Sequence, residues 1–141
     1  MIRRSAVTLF TVAGLVTPAV LAAPAVAAAP ATAVAYAPTP VSVSDGAGSY
    51  IKGTLTWYNR SAVFTKTLTS VGCHRVWYSV FDGYANPLGA RSSSTHCNST
   101  TSVPATLPAD VVGGGAYAGV CLDDAQGKPV TSCGVYPRPH G

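Results

Sequence analysis

Tyr50-Ile51-Lys52-Gly53-Thr54-Leu55-Thr56-Trp57-Tyr58 is the stretch whose reading decides the fold class. Ile51, Leu55 and Trp57 alternate with Lys52, Thr54, Thr56 and Tyr58, so a strand here has one apolar and one polar face. Trp57 then points inward and Tyr58 outward. Asn59-Arg60-Ser61 reads as a turn, Val63 to Thr69 as the returning strand, and Gly72 as a break.

Working outward, Cys73 to Phe81 is apolar on both faces, with Val76, Tyr78 and Val80 alternating with Trp77 and Phe81; this predicts a central strand. Asp82-Gly83 and Asn86-Pro87-Leu88-Gly89 make the next reversal. Arg91 to Cys97 reads as a polar edge strand, and Val103 to Leu107, flanked by Pro104 and Pro108, as an edge strand or extended loop. Beyond the Gly113-Gly114-Gly115 hinge, Ala116, Ala118, Val120 and Leu122 supply another inward face. A turn at Asp124 to Lys128 leads to a last strand, Val130 to Tyr136. From Ser49 onward no stretch repeats apolar residues at the three-and-four spacing of a helix. The expectation is an all-β, antiparallel, disulfide-stapled β-sandwich of immunoglobulin-like size with six or seven short strands; an open barrel is the alternative.

The chain has 141 residues, enough for one ordinary domain once a leader is set aside. Arg3 and Arg4 precede an uncharged apolar run from Ser5 to Ala29. Small residues at Ala25-Val26-Ala27 and Val26-Ala27-Ala28 suit signal peptidase cleavage after position 27 or 28. An uncleaved anchor is the rival, disfavoured by the alanine richness and Pro18. Residues 1–28 therefore read as a signal peptide, 29–48 as a flexible linker in which Val41-Ser42-Val43 is at most an edge strand, 49–136 as the domain, and 137–141 as an extended tail.

Loss of the leader leaves seven Lys and Arg against five Asp, with the cations spread singly along the chain. No run supplies the electrostatic footprint of a nucleic-acid binder or an anionic-membrane binder, so neither partner is expected after cleavage.

All four cysteines lie beyond the leader, and an even count in an exported chain implies disulfides. Three connectivities are open. Opposed residues of an antiparallel hairpin have numbers with a constant sum, and Cys73 with Cys97 centres on Ala85, inside a predicted turn. Cys121 with Cys133 centres on Gly127, inside another, so the sequential pairing is favoured. In that register His74 also opposes His96, on the face opposite the cysteines. Two Cys and two His then cannot converge on one ion, and no metal site is expected.

Catalysis finds little support. The five aspartates fall in the linker, in or beside turns, or, for Asp123-Asp124, adjacent on a strand with diverging side chains. G-x-S-x-G and C-x-x-C are absent. The expectation is a non-enzyme without a cofactor. What remains is a concentration of rings between Tyr50 and Tyr84. Tyr50, Tyr58 and Trp77, with Arg60 and Arg75 nearby, are the candidate binding residues for an extracellular protein or polysaccharide.

The segment Gly53 to Ser61, with the Cys73 to Phe81 strand and the stretch Asp110 to Asp123, resembles small secreted β-domain proteins of actinobacteria that carry no assigned activity. The resemblance spans roughly Tyr50 to Tyr136. It implies an exported β-domain and transfers no functional residue. The disulfide-bonded β-sheet inhibitors of hydrolases secreted by such bacteria are similar in size and cysteine count. Their Trp-Arg-Tyr motif is not matched, because Trp77-Tyr78 lacks the central arginine.

The leader reading predicts a secreted product that begins at Ala28 or Ala29. Intact-mass measurement of culture supernatant checks it, and a full-length mass confined to the membrane fraction would refute it.

Overall fold

The computed structural model describes residues 34–140; the leader expected over residues 1–28 lies outside them. The described residues form two antiparallel sheets, not closed into a barrel, and contain no helix. The first sheet runs β1 (Thr39–Ser44), β2 (Tyr50–Tyr58), β3 (Ser61–Thr69), with β7 (Thr100–Ser102) and β8 (Ala105–Pro108) sharing the far edge of β3. The second runs β10 (Gly134–Pro137), β9 (Tyr117–Asp124), β4 (Cys73–Phe81), with β5 (Pro87–Ser92) and β6 (His96–Cys97) sharing the far edge of β4. The all-β sandwich expected from the alternation is the fold.

Period two assigns the core. Ile51, Leu55 and Trp57 of β2 face Val76, Tyr78 and Val80 of β4 and Ala118, Val120 and Leu122 of β9, all buried. Burial of this kind is the main stabilising term, and loss of a ring such as that of Trp57 costs roughly 3–5 kcal/mol. Gly53 occupies an inward position of β2 because the chains approach closely there. A Cβ would collide with the Thr65 carbonyl oxygen and lie 2.7 Å from the Lys66 Cα.

Ten strands form where six or seven were expected: Thr100–Ser102 is an additional short strand, Val103–Leu107 becomes Ala105–Pro108, and three further boundaries differ from the sequence reading. Part of the segment assigned to a flexible linker, over 29–48, is a full edge strand: β1 pairs with β2 from Thr39↔Leu55 to Ser44↔Tyr50. The reason is that Val41 and Val43, though short of apolar mass in sequence terms, share one face and are buried in the core. The predicted Arg91 to Cys97 strand is split into β5 and β6, because Ser93 turns aside to donate its N–H to the Val76 carbonyl and to accept from the Val76 N–H through Oγ. The last strand begins at Gly134 rather than Val130, since the ladder register shifts between Val130, bonded to Leu122, and Gly134, opposite Val120.

Both disulfides form as the hairpin geometry requires. Cys73–Cys97 has a Cα separation of 4.0 Å and Cys121–Cys133 one of 4.3 Å. His74 opposes His96 in the same ladder.

Among the described residues the core holds one cation. Lys66 shares the inward phase of Ala62, Phe64 and Leu68 on β3 and is 2 % exposed. Its Nζ has no hydrogen-bond partner and lies 4.5 Å from the ring centroid of Phe64, 5.4 Å from Tyr78 and 5.8 Å from Tyr136. Ring faces compensate a desolvated ammonium only in part. Burial accordingly drives its pKa from 10.5 down to about 7. Tyr136 reaches this position from β10 and closes the seam to β1, donating its hydroxyl to the Ser42 carbonyl at 2.9 Å and accepting from the Ser42 N–H at 3.2 Å.

A depressed lysine pKa withholds stability as pH falls: the unfolded chain binds the proton that the folded chain refuses. Denaturant unfolding should show the domain gaining up to about 4 kcal/mol between pH 7 and pH 10. Lys66→Met should flatten that rise and raise stability at pH 7. An unchanged slope in the variant would show that Lys66 is not its source.

Candidate functional site

The two outer faces of the sandwich differ in chemistry. On the first sheet the outward positions are mostly hydroxyl-bearing: Thr54 opposes Thr65, Thr67 opposes Ser102, and Thr69 opposes Thr100 with their hydroxyls 3.1 Å apart. This is the composition expected of a solvated sheet face. The second sheet carries rings instead. The β4–β9 ladder sets Arg75 opposite Asp123, Trp77 opposite Cys121, Ser79 opposite Gly119 and Phe81 opposite Tyr117. All of these alternate with the core residues and so point outward. Trp77 is 39 % exposed, Phe81 and Tyr117 stack with centroids 5.0 Å apart, and Val135 of β10 is exposed beside them.

The five binding candidates divide between these faces. Trp77 and Arg75 stand together on the second sheet. Tyr50 and Tyr58 lie half-buried on the first, at opposite ends of β2, about 26 Å apart at the usual strand rise. The Lys52 ammonium lies 5.1 Å from the centre of the Tyr50 ring. Arg60, in the β2–β3 turn, is ion-paired with Asp110 in an exposed setting where such pairs contribute little. The structure therefore assembles one cluster from the five, around Trp77.

That cluster includes a residue the sequence reading set aside. Asp123 was read with Asp124 as a diverging pair, and the two do diverge. Asp124 turns to the hairpin, where its carboxylate accepts from the Gln126 and Lys128 N–H groups, both at 2.9 Å, and these bonds hold its pKa below the ordinary value. Asp123 turns to the outer face, yet is only 4 % exposed, and its backbone is bridged to Pro129 of the returning hairpin. Burial raises its pKa, with the Arg75 charge opposing and the Asp124 charge adding to the shift. Asp123 Oδ1 and Arg75 Nε are both buried without a hydrogen-bond partner. The Arg75 guanidinium packs instead on Gly127, where φ is +83° and a Cβ would collide with it. Arg75, Trp77, Cys121, Asp123, Gly127 and Pro129 enclose a cleft of about 320 Å³. Strand alternation alone puts Asp123 on the Trp77 face; the signal was present once β4 and β9 were recognised as neighbours.

Comparison with protein-family models, with curated proteins and with solved structures gave no match. The site's own chemistry is thus what bears on function.

A second exposed feature lies at the end of the sandwich. The Asp82 to Asn86 loop is held by the Asp82 carboxylate, which accepts from the Tyr84 N–H, the Asn86 N–H and the Asn86 side-chain amide, each at 2.8 Å. It presents Tyr84, 90 % exposed, across a groove from Val111 and Val112. Among the described residues no three His, Cys, Asp or Glu side chains gather in a way that could hold a metal ion.

Proposed function

We propose that this chain is an exported, non-catalytic binding domain whose ligand docks on the outer face of the second sheet around Trp77. The observation that carries the reading is the asymmetry of the two outer faces. A solvated sheet face is ordinarily polar, as the threonine-rich first sheet is, whereas the second spends a tryptophan, a stacked Phe81–Tyr117 pair and Val135 on the outside. Exposed tryptophan and tyrosine rings are the residues that most often dominate binding energy. Two disulfides are consistent with an oxidising, extracellular setting. A protein partner seated on the end loops is the second reading, favoured by the rigid loop that presents Tyr84.

Trp77→Ala should weaken capture of the cognate ligand about thirtyfold, the equivalent of about 2 kcal/mol, with the unfolding midpoint unchanged. Immobilised wild-type and variant domains challenged with culture-filtrate protein and, separately, with purified cell-wall polysaccharide give the comparison. Tyr58→Ala, on the opposite sheet, should bind as wild type. Loss of binding in Tyr84→Ala with Trp77→Ala unaffected would move the site to the loop end, and wild-type binding by every variant would overturn both readings.

A further inference from the structure

The cleft beside Trp77 carries a hydrogen-bonding demand that narrows the chemistry of its occupant. Arg75 Nε is a donor without an acceptor, and Asp123 Oδ1 is an acceptor without a donor. They stand on directly opposed residues of β4 and β9, yet their side chains form no ion pair within 4 Å. A single hydroxyl group, accepting from Nε and donating to Oδ1, satisfies both at once. A cationic ligand would meet the Arg75 charge, and an anionic one the Asp123 carboxylate. The two charges cancel locally, so the site suits a neutral, hydroxyl-rich molecule. Trp77 supplies an exposed apolar plane on which the C–H face of a sugar ring can lie. The cleft volume of about 320 Å³ is at the lower end of small-molecule pockets, roughly 300–1,000 Å³. That is room for one or two sugar rings.

We propose that the Trp77 cleft is a subsite for a neutral saccharide, stacked on the indole and hydrogen-bonded through a hydroxyl to Arg75 and Asp123. The proposal rests on the reading that the Trp77 face is the contact surface, and it names the ligand class. Arg75 Nε and Asp123 Oδ1 are both buried, so a ligand hydroxyl reaches them with a movement of the Arg75 side chain, which packs on Gly127. The Cys121–Cys133 bridge and the β9–β10 hairpin fix the remaining wall. Burial raises the pKa of Asp123, and a donor brought to Oδ1 would favour its charged form.

The test titrates the mature domain with neutral cello-oligosaccharides and N-acetylated chito-oligosaccharides while following the two indole N–H resonances. Trp57 is buried, and Trp77→Phe assigns the other signal. The expected result is a saturable shift of the Trp77 signal with Trp57 unmoved. Affinity should fall about tenfold or more in Asp123→Ala and in Arg75→Gln, and should be abolished in Trp77→Ala. Asp123→Leu, similar in shape to the native residue but without an acceptor, keeps the test valid if the alanine variant is unstable. A Trp77 signal unmoved by every neutral saccharide up to about 10 mM overturns the proposal. So does a shift whose affinity ignores both Arg75 and Asp123. If saccharides leave Trp77 unmoved while Trp77→Ala abolishes capture of a protein, the saccharide inference fails and the binding-face reading survives. If Trp77→Ala changes neither, both fail.

Discussion

The β4–β9 ladder is the constraint on which core and candidate site both depend. It runs unbroken from His74↔Asp124 to Phe81↔Tyr117. Because side chains alternate strictly, one register places Val76, Tyr78 and Val80 with Leu122, Val120 and Ala118 inside, and Arg75 and Trp77 with Asp123 and Cys121 outside. A slip of one residue would exchange the two sets, burying a guanidinium and a carboxylate in the sandwich and exposing Tyr78. The two disulfides fix the neighbouring pairings on either side of this ladder. Cys73–Cys97 ties β4 to β6, and Cys121–Cys133 ties β9 to the segment entering β10. Closure of loops of these lengths contributes roughly 2–4 kcal/mol each on the chain-entropy account.

The fold was legible to the extent that period two and turn chemistry speak locally. Ile51, Leu55 and Trp57 announced their strand and their inward face, and the cysteine sums around Ala85 and Gly127 gave both bridges and the His74↔His96 register. β1 was less visible because Thr39–Ser44 has only two apolar residues and lies in a proline-interrupted stretch; its pairing is decided by the open edge of β2, a tertiary fact. The candidate site was half legible. Arg75 and Trp77 could be placed on one face of one strand, but Tyr50, Tyr58 and Arg60 could not be assigned to the opposite sheet without knowing which strands pair. Asp123 joins the site through a neighbouring strand some fifty residues away in sequence, and local reasoning does not reach it.

Lys66 illustrates a different blind spot. Its position in the alternation Ala62, Phe64, Lys66, Leu68 marks it as inward, yet a lysine in that phase ordinarily signals an edge or an end where the amine can reach water. Here the stem is enclosed by the close approach of Gly53, and the amine ends among Phe64, Tyr78 and Tyr136. The Tyr78 hydroxyl is committed to the Val103 carbonyl and that of Tyr136 to Ser42, so neither oxygen is turned to the ammonium. The polar groups around Lys66 therefore join strands to one another rather than neutralise the cation, which is why the amine loses its proton so readily.

The staples also bear on how the face could work. In a sandwich whose disulfide crosses the core, the covalent link holds the sheets together. Here both bridges join strands within the second sheet and take the same outward phase as Arg75 and Trp77, leaving the apolar core and the Tyr136–Ser42 and Tyr78–Val103 hydrogen bonds to hold the two sheets. The covalent constraint is thus concentrated on the strands that carry the rings. A platform held in this way loses little conformational freedom when a ligand settles on it, and the cost that most often limits weak, shallow sites is reduced in advance. Covalent constraint on that face, with the opposite face mostly hydroxyl-bearing between Tyr50 and Tyr58 at its ends, is the arrangement expected if selection acted on contact through the second sheet.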